Sequence, residues 1–343
     1  MKNVAFIGLG KQNTSDHLRA ALSNPGVRVV AVCDSDPKVA ATWGEKLDVA
    51  AYTTVKDLIQ HESMDAAIVA VPHFAYFDIL EPLMQAGVHI LKEKPFAASL
   101  SEARKLSELA EQNNVNLTVA VQRKHNKIFQ TYAEYASRIG SPFSIHGEYT
   151  LNIEKLDEGW RASKKLAGGG AVIDMGYHII DLITWYFGLP DRISSSLGYR
   201  NRPGKYDVED TAKIQFSYAK DDRKILGSLL LSRIYPEKDE GLFIYGSDGA
   251  IKIYKDKIDL FDKSRELVES KFLKSDGNDV SLQFNDFIAA LESNNYTGNH
   301  RAHLANMIFI DAIYESDSTN KTIMPREDTR YDSLLGKMEE VYA

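Results

Sequence analysis

Val4-Ala5-Phe6-Ile7-Gly8-Leu9-Gly10-Lys11-Gln12-Asn13 stands at the head of the chain. Four apolar residues of strand character run into a Gly-x-Gly turn, and a helix-like stretch follows from His17 to Leu22. Val27–Cys33 is a second strand, rich in β-branched residues and closed by Asp34. Strand, glycine turn, helix, strand and acid come in the order of a dinucleotide-binding βαβ unit. Gly8 and Gly10 let backbone N–H groups approach a pyrophosphate at a helix N-terminus, and Lys11, Gln12 and Asn13 complete that turn. Asp34 lies 24 residues after Gly10. An acid there hydrogen-bonds the ribose hydroxyls of NAD and repels a 2′-phosphate, so NAD is favoured over NADP. Asn13 occupies the place of the third glycine, which predicts looser packing of helix on strand. Asn tolerates left-handed backbone better than most residues, which softens the change.

Working outward, residues 1–122 alternate strand and helix. Strands are expected at Val4–Ile7, Val29–Cys33, Ala67–Val71, Val88–Leu91 and Leu117–Val121, with helices at Val55–His61 and Ile79–Ala86. Ser99-Leu100-Ser101-Glu102 reads as a capping box opening a helix to about Gln112. The alternation predicts an α/β Rossmann domain with a doubly wound parallel sheet. Ligands of such sheets sit at the carboxyl ends of the strands. Pro72 and His73, and then Lys92-Glu93-Lys94-Pro95, leave such ends, so Pro72, His73, Glu93 and Lys94 join the cofactor-binding candidates. Lys94 is held by a following proline, and that X–Pro bond can be cis. A solvated charged turn is the plain alternative for this run.

Gly168-Gly169-Gly170-Ala171-Val172-Ile173-Asp174-Met175-Gly176-Tyr177-His178 is the second informative stretch. Asp174 and His178 stand at i and i+4, which on a helix puts both on one face. A carboxylate beside an imidazole can move a proton near neutral pH. Alone, such a pair more often stabilises a helix. The surrounding pattern differs from the first half. Period-two runs at Phe143–Leu151, Ile193–Tyr199, Ala212–Tyr218, Ile225–Ser232, Leu242–Tyr245, Ala250–Tyr254 and Ile258–Phe261 predict strands, with turns at Asp221-Asp222 and Ser247-Asp248-Gly249. Helices are expected at Asp174–Phe187, Leu282–Leu291, Leu304–Tyr314 and Ser333–Tyr342. Residues 123–343 therefore read as an α+β C-terminal domain with a large, mostly antiparallel open sheet.

Gly8-x-Gly10 with Asp34, Glu93-Lys94-Pro95, and Gly168-Gly169-Gly170 followed by Asp174-x-Gly176-x-His178-x-x-Asp181 together resemble the glucose–fructose oxidoreductase / inositol dehydrogenase / MocA (Gfo/Idh/MocA) family. Asp210-Thr211-Ala212, Gly246-Ser247-Asp248-Gly249-Ala250 and Phe284-x-x-Phe287 extend the likeness over nearly the whole chain. The resemblance implies an NAD-dependent oxidoreductase that oxidises a secondary hydroxyl of a sugar, sugar phosphate or inositol. It implies that Lys94, Asp174 and His178 are catalytic, with the proton going to either Lys94 or His178. It also implies a homodimer or homotetramer built through the open sheet. Two departures touch the cofactor contacts. Pro72-His73 and then Tyr76 stand where many members carry Pro-Asn and then His, and the glycine loop runs about one residue longer before His17.

Cations near the suspected site in sequence (Arg123-Lys124, Arg161 and Lys164-Lys165) suit a sugar phosphate such as glucose 6-phosphate, and would equally attract a sugar acid or a nucleotide sugar. Trp160 is placed to stack on a sugar face. Arg123, Trp160, Arg161, Lys165, Asp174 and His178 are thus the substrate-binding candidates. Most such cations simply solvate the surface, and the core is the other place for Trp160. Net charge is −7, which argues against nucleic acid as partner. No apolar run approaches the roughly 20 residues of a membrane span. The N-terminus lacks the pattern of a secretory signal, and a cytoplasmic enzyme is expected. The single cysteine, Cys33, excludes an internal disulfide. Competing readings are an NAD-dependent glycosidase with transient internal oxidation, a non-catalytic dinucleotide sensor, and a metal enzyme using His300 and His303. No cluster of Cys, Glu or Asp stands beside that last pair in sequence, and no metal is expected.

Overall fold

The computed structural model describes residues 1–199, 206–220, 223–272 and 278–342. The expected turn at Asp221-Asp222 lies outside them. The chain divides into two units, Met1–Gln122 with Gly277–His303, and Arg123–Asp276 with Leu304–Ala343.

The first unit carries six parallel strands: β1 (Lys2–Ile7), β2 (Val27–Cys33), β3 (Ala50–Tyr52), β4 (Ala66–Val69), β5 (His89–Glu93) and β6 (Leu117–Ala120). Their order is β3-β2-β1-β4-β5-β6. This is the doubly wound arrangement, in which ligands bind where the order reverses, between β1 and β4. The connecting helices are α1 (Leu18–Leu22), α2 (Pro37–Leu47), α3 (Val55–His61), α4 (Tyr76–Gln85) and α5 (Leu100–Gln112). The cap of α5 forms as expected at Ser99, whose Oγ accepts from Glu102 N at 3.2 Å. The return bond goes one residue further back, from Ala98 N to Glu102 Oε2 at 3.2 Å. Short β3 was not expected, because three residues carry too little pattern to read.

The helix after the glycine turn begins with a π-helical turn, Asn13–His17, in which Leu18 N–H reaches Asn13 O. A π turn holds one more residue than an α turn, and so absorbs the longer loop.

The second unit carries the eight-stranded sheet β14-β13-β12-β11-β7-β10-β9-β8. The helix α6 (Lys127–Ala136) precedes β7 (Pro142–Asn152), and α7 (Lys164–Ala167) and α8 (Gly176–Phe187) precede β8 (Arg192–Gly198). The strands β9 (Thr211–Lys220), β10 (Arg223–Ser232), β11 (Ile234–Gly246), β12 (Gly249–Tyr254), β13 (Lys257–Asp262) and β14 (Leu267–Phe272) follow. All pairings are antiparallel except β7 with β10. The apolar face of α8 (Tyr177, Ile179, Ile180, Leu182 and Ile183) is fully buried. Gly176 lets its first turn approach the sheet: a Cβ there would lie 2.5 Å from Leu231 Cδ1.

The sequence places all of 123–343 in the second domain, but residues 278–303 fold with the first unit. The reason is apolar surface. The helix α9 (Asp279–Glu292) sends Phe284, Phe287, Ile288 and Leu291 into the core formed by Val4, Phe6, Leu18 and Ala21, each at most 3% exposed. The long α10 (His300–Thr319) starts four residues before the expected helix, so His300 and His303 lie in its first turn, both buried. The chain closes with α11 (Asp332–Tyr342). Among the described residues no group of three or more His, Cys, Asp or Glu is placed to hold a metal. No described helix is long and apolar enough to cross a membrane.

Candidate active site

In the first unit the glycine turn leaves β1 at its carboxyl end. Gly8 has φ +78° and packs against the segment after β4, where a Cβ would lie 2.4 Å from Ala70 O. Gly10 differs: it is exposed, and a Cβ there would meet nothing within 4 Å. One glycine is demanded by the fold, and the other borders open space. Lys11 and Gln12 are exposed, with Gln12 Nε2 donating to Asp16 Oδ2 at 2.7 Å. Asn13 is wholly buried, and its Nδ2 donates to Gly8 O at 2.8 Å and Ile7 O at 3.1 Å. The side chain that replaces the third glycine therefore ties the loop to β1. Any contribution of Asn13 to a ligand falls to its backbone.

Asp34 closes β2 and is half-buried. Its Oδ2 accepts from Leu9 N at 2.7 Å and its Oδ1 from Asp36 N at 2.9 Å. The carboxylate is thus oriented by the glycine turn itself. Each oxygen has a further lone pair for a ribose hydroxyl. Exposed Gly10, the backbone of the turn and the fixed Asp34 fit a dinucleotide.

Beyond β5 the chain turns through a cis Lys94–Pro95 bond. Lys94 is half-exposed at the strand's carboxyl end. Its neighbours are spent on structure. Lys92 is fully buried; its Nζ donates to Pro95 O and to Phe96 O (3.0 Å) and sits 3.5 Å from the Tyr76 ring centre. Burial holds the Lys92 ammonium well below the usual lysine range. Tyr76 OH in turn donates to Glu93 O at 3.0 Å. Glu93 lies in the interior with its Oε1 2.7 Å from Nε2 of His17, a buried partner the sequence does not reveal. His73 is buried and stacks on Tyr76, with ring centres 6.1 Å apart, while Pro72 leads into that turn.

In the second unit, Asp174 does not lie on α8 as expected. It stands in the turn before it, 2 residues ahead of Gly176, while His178 occupies the helix's first turn; both are half-buried. Turn hydrogen bonds from Asp174 N to Gly170 O (3.1 Å) and from Gly176 N to Ala171 O (2.8 Å) carry the chain into the helix. Asp174 Oδ2 lies 2.9 Å from the guanidinium of buried Arg233 and 3.6 Å from Nε of exposed Arg161. The same Arg233 amino group donates to Gly170 O at 2.9 Å. Glu209, also buried, accepts from Gly170 N and Val172 N, each at 2.9 Å, and from Tyr314 OH at 3.0 Å. Burial pushes the Glu209 carboxyl up from its ordinary value, and these donors pull it back in part.

The three glycines serve the turn and its packing. Gly168, with φ +83°, ends α7 in the left-handed region. Gly169 and Gly170 make room for Tyr314 and Glu209: a Cβ on either would lie 1.9 Å from Tyr314 OH or Glu209 O.

Of the other substrate candidates, Arg123 is ion-paired with Glu240 and flanked by the rings of Phe129 and Tyr149. Lys124 lies 3.2 Å from Asp181. Trp160 is half-buried with the Arg161 guanidinium 4.3 Å from its ring centre, and Lys165 is exposed. Arg233 and Glu209 are the site residues the sequence reading misses. The only signal was a lone arginine ending the apolar run Ile225–Ser232, and an acid before Asp210-Thr211.

Residues 2–121 match the profile described as the oxidoreductase family with an NAD-binding Rossmann fold, and residues 135–252 match the GFO/IDH/MocA C-terminal domain. The chain belongs to the Gfo/Idh/MocA family. An uncharacterized oxidoreductase of Schizosaccharomyces pombe is 28% identical over 175 residues, which are 50% of this chain and 47% of that protein. A D-xylose 1-dehydrogenase (NADP(+)) of Haloferax volcanii is 25% identical over 199 residues, 55% of this chain and 61% of its own. The matched part thus spans about half of such Gfo/Idh/MocA relatives. A solved levoglucosan dehydrogenase in complex with NADH and levoglucosan superposes with a TM-score of 0.83 at 19% identity, over 94% of this chain and 99% of that one. At that identity the likeness is one of fold.

Proposed function

We propose that this Gfo/Idh/MocA oxidoreductase converts a secondary hydroxyl of a sugar or polyol to a ketone with NAD. One observation carries the reading. Lys94 follows the carboxyl end of β5, where ligands of a parallel sheet gather, and the opening of α8 carries a charge-fixed Asp174 and a half-buried His178. The sugar-directed names of relatives such as the D-xylose dehydrogenase support it.

NAD, when bound, supplies the hydride acceptor. The backbone of Gly8 to Asn13 would hold the pyrophosphate and Asp34 the adenosine ribose hydroxyls. Pro72, His73 and Glu93, at the carboxyl edge of the sheet, would line the cofactor crevice beside Lys94. Lys94 donates a hydrogen bond to the reacting oxygen and lowers the cost of its alkoxide character. His178 takes the hydroxyl proton as general base. Asp174 orients the substrate. A relative named for NADP(+) means that the family does not set the nicotinamide preference; Asp34, by its charge, favours NAD over NADP here.

Arg161 and Lys165 are the exposed cations of the second unit's candidates, and they support a phosphorylated or acidic sugar. Arg123 is already neutralised by Glu240 and lends less to that role. Trp160 offers its ring to a sugar face. An open sheet of eight strands supports assembly into a homodimer or homotetramer. A panel of inositols, free hexoses and hexose phosphates, each with NAD and NADP, tests the reading by absorbance of the reduced cofactor. Sustained NADH formation with a phosphorylated hexose, weakened by inorganic phosphate, supports the phosphate specificity. A panel without net reduction of either cofactor counts against a dehydrogenase, and cleavage of a glycoside without net reduction would mark the glycosidase instead.

A further inference from the structure

We propose that Arg233 is a positioning residue for Asp174, and that Arg233 and Glu209 form a clamp on Gly170 that sets where the Asp174 carboxylate stands. The proposal rests on the reading above, in which Asp174 serves the reacting substrate.

The clamp grips the backbone of one residue from both sides. Glu209 Oε2 accepts the Gly170 N–H at 2.9 Å, and an Arg233 amino group donates to the Gly170 carbonyl at 2.9 Å. That same amino group reaches Asp174 Oδ2 at 2.9 Å. One nitrogen thus bridges a backbone oxygen and the candidate carboxylate four residues on. Both clamp side chains are nearly inaccessible: Arg233 and Glu209 are 2% and 1% exposed. Burying a guanidinium is unfavourable unless its partners compensate it. A neutral donor would suffice to cap Gly170 O. A buried guanidinium also gives the carboxylate a charged partner, and the two hydrogens of one amino group serve both acceptors. Tyr314 donates to Glu209 from the far side at 3.0 Å, and Arg161 approaches the same Asp174 oxygen from the solvent side at 3.6 Å. The small size of Gly169 and Gly170 follows, since Cβ atoms would collide with Tyr314 and Glu209.

The test has two readouts, taken on the full chain. The first is hydrogen exchange of the peptide spanning Gly168 to Gly176. Arg233→Gln should raise its exchange rate roughly tenfold or more, since local opening of the clamp is what exposes those amides. Asp174→Asn should leave the rate within about twofold. The second readout is steady-state kinetics with NAD and glucose 6-phosphate or myo-inositol, whichever is turned over faster. Misplacement of Asp174 in Arg233→Gln should cost about 100-fold in kcat, with KM for NAD within about twofold. A residue acting through Asp174 gives a non-additive cycle: Arg233→Gln should lower the kcat of Asp174→Asn by less than about threefold. Arg233→Lys should recover part of the loss by keeping a cation beside Asp174. If Arg233→Gln fails to fold, Arg233→Lys is put through the same exchange and kinetic cycles and should show the same non-additivity with smaller changes. Full additivity, or unchanged exchange and kcat in Arg233→Gln beside an inactive Asp174→Asn, would overturn the clamp. Wild-type kcat in Asp174→Asn would overturn the functional reading and the catalytic half of this proposal with it. That failure is recognised by exchange rates that still rise in Arg233→Gln.

Discussion

The two glycines of the first turn should respond oppositely to the same substitution. In Gly8→Ala the new Cβ sits 2.4 Å from Ala70 O and 2.7 Å from Val71 Cγ1, at a φ of +78°. A left-handed backbone costs an L-residue about 1–2 kcal/mol. Relieving the contact means parting the end of β1 from the segment after β4, an overpacking cost of about 1–3 kcal/mol. The total, about 2–5 kcal/mol, lowers Tm by roughly 4–20 °C for a unit of this size. In Gly10→Ala the methyl group enters open space, and stability should change by less than about 1 kcal/mol in either direction. That space is where the pyrophosphate is expected to approach the turn, so NAD affinity should fall at least about tenfold, or 1.4 kcal/mol. Differential scanning fluorimetry and calorimetric NAD titration of the two variants make the comparison. A Gly10→Ala protein that loses as much Tm as Gly8→Ala, or that binds NAD like the wild type, would refute the division of roles.

Asp34→Ser removes the charge that disfavours a 2′-phosphate, and should raise the NADP-to-NAD ratio of kcat/KM by about tenfold or more, about 1.4 kcal/mol of discrimination; an unchanged ratio would show that selection lies elsewhere. The Cys33 thiol is pushed up to about 11 by burial and then by the nearby Asp34 carboxylate. Near pH 8 its thiolate fraction is about 100-fold below that of an unperturbed cysteine, so disulfide reagents should modify it mainly after denaturation. Glu209 is raised by burial. Its contribution to stability is therefore fully present below the ordinary carboxyl range, and is lost as pH rises through the raised folded value. The Tm advantage of wild type over Glu209→Gln should shrink with rising pH across that window, and a growing advantage would reverse the assignment.

The first unit was legible because each long strand is a short apolar run ended by a turn residue, and because the glycine turn and Asp34 are local features. β3 escaped notice at three residues. β14 (Leu-Val-Glu-Ser-Lys-Phe) escaped because an exposed edge strand has no buried face to impose a pattern. The helix α9 is amphipathic in sequence, yet nothing local says which core its Phe284 and Phe287 enter. The candidate site shows the same boundary. Lys94, Asp174 and His178 could be named from motifs. The pairs that hold their surroundings are distant in sequence: His17 with Glu93, Glu209 with Gly170, and Arg233 with Asp174. Position on the chain also misled once, since Asp174 precedes the helix it was expected to share with His178. Its orientation comes from a guanidinium 59 residues away rather than from helical spacing.

The most direct measurement is the progress curve of NADH formation with the sugar and polyol panel, run in parallel on wild type and His178→Ala. Sustained cofactor reduction by the wild type, lost by at least about 100-fold in the variant while its NAD affinity holds, is the result that general-base catalysis by His178 requires. Equal rates in the two proteins, or no reduced cofactor from the wild type with any member of the panel, would contradict it.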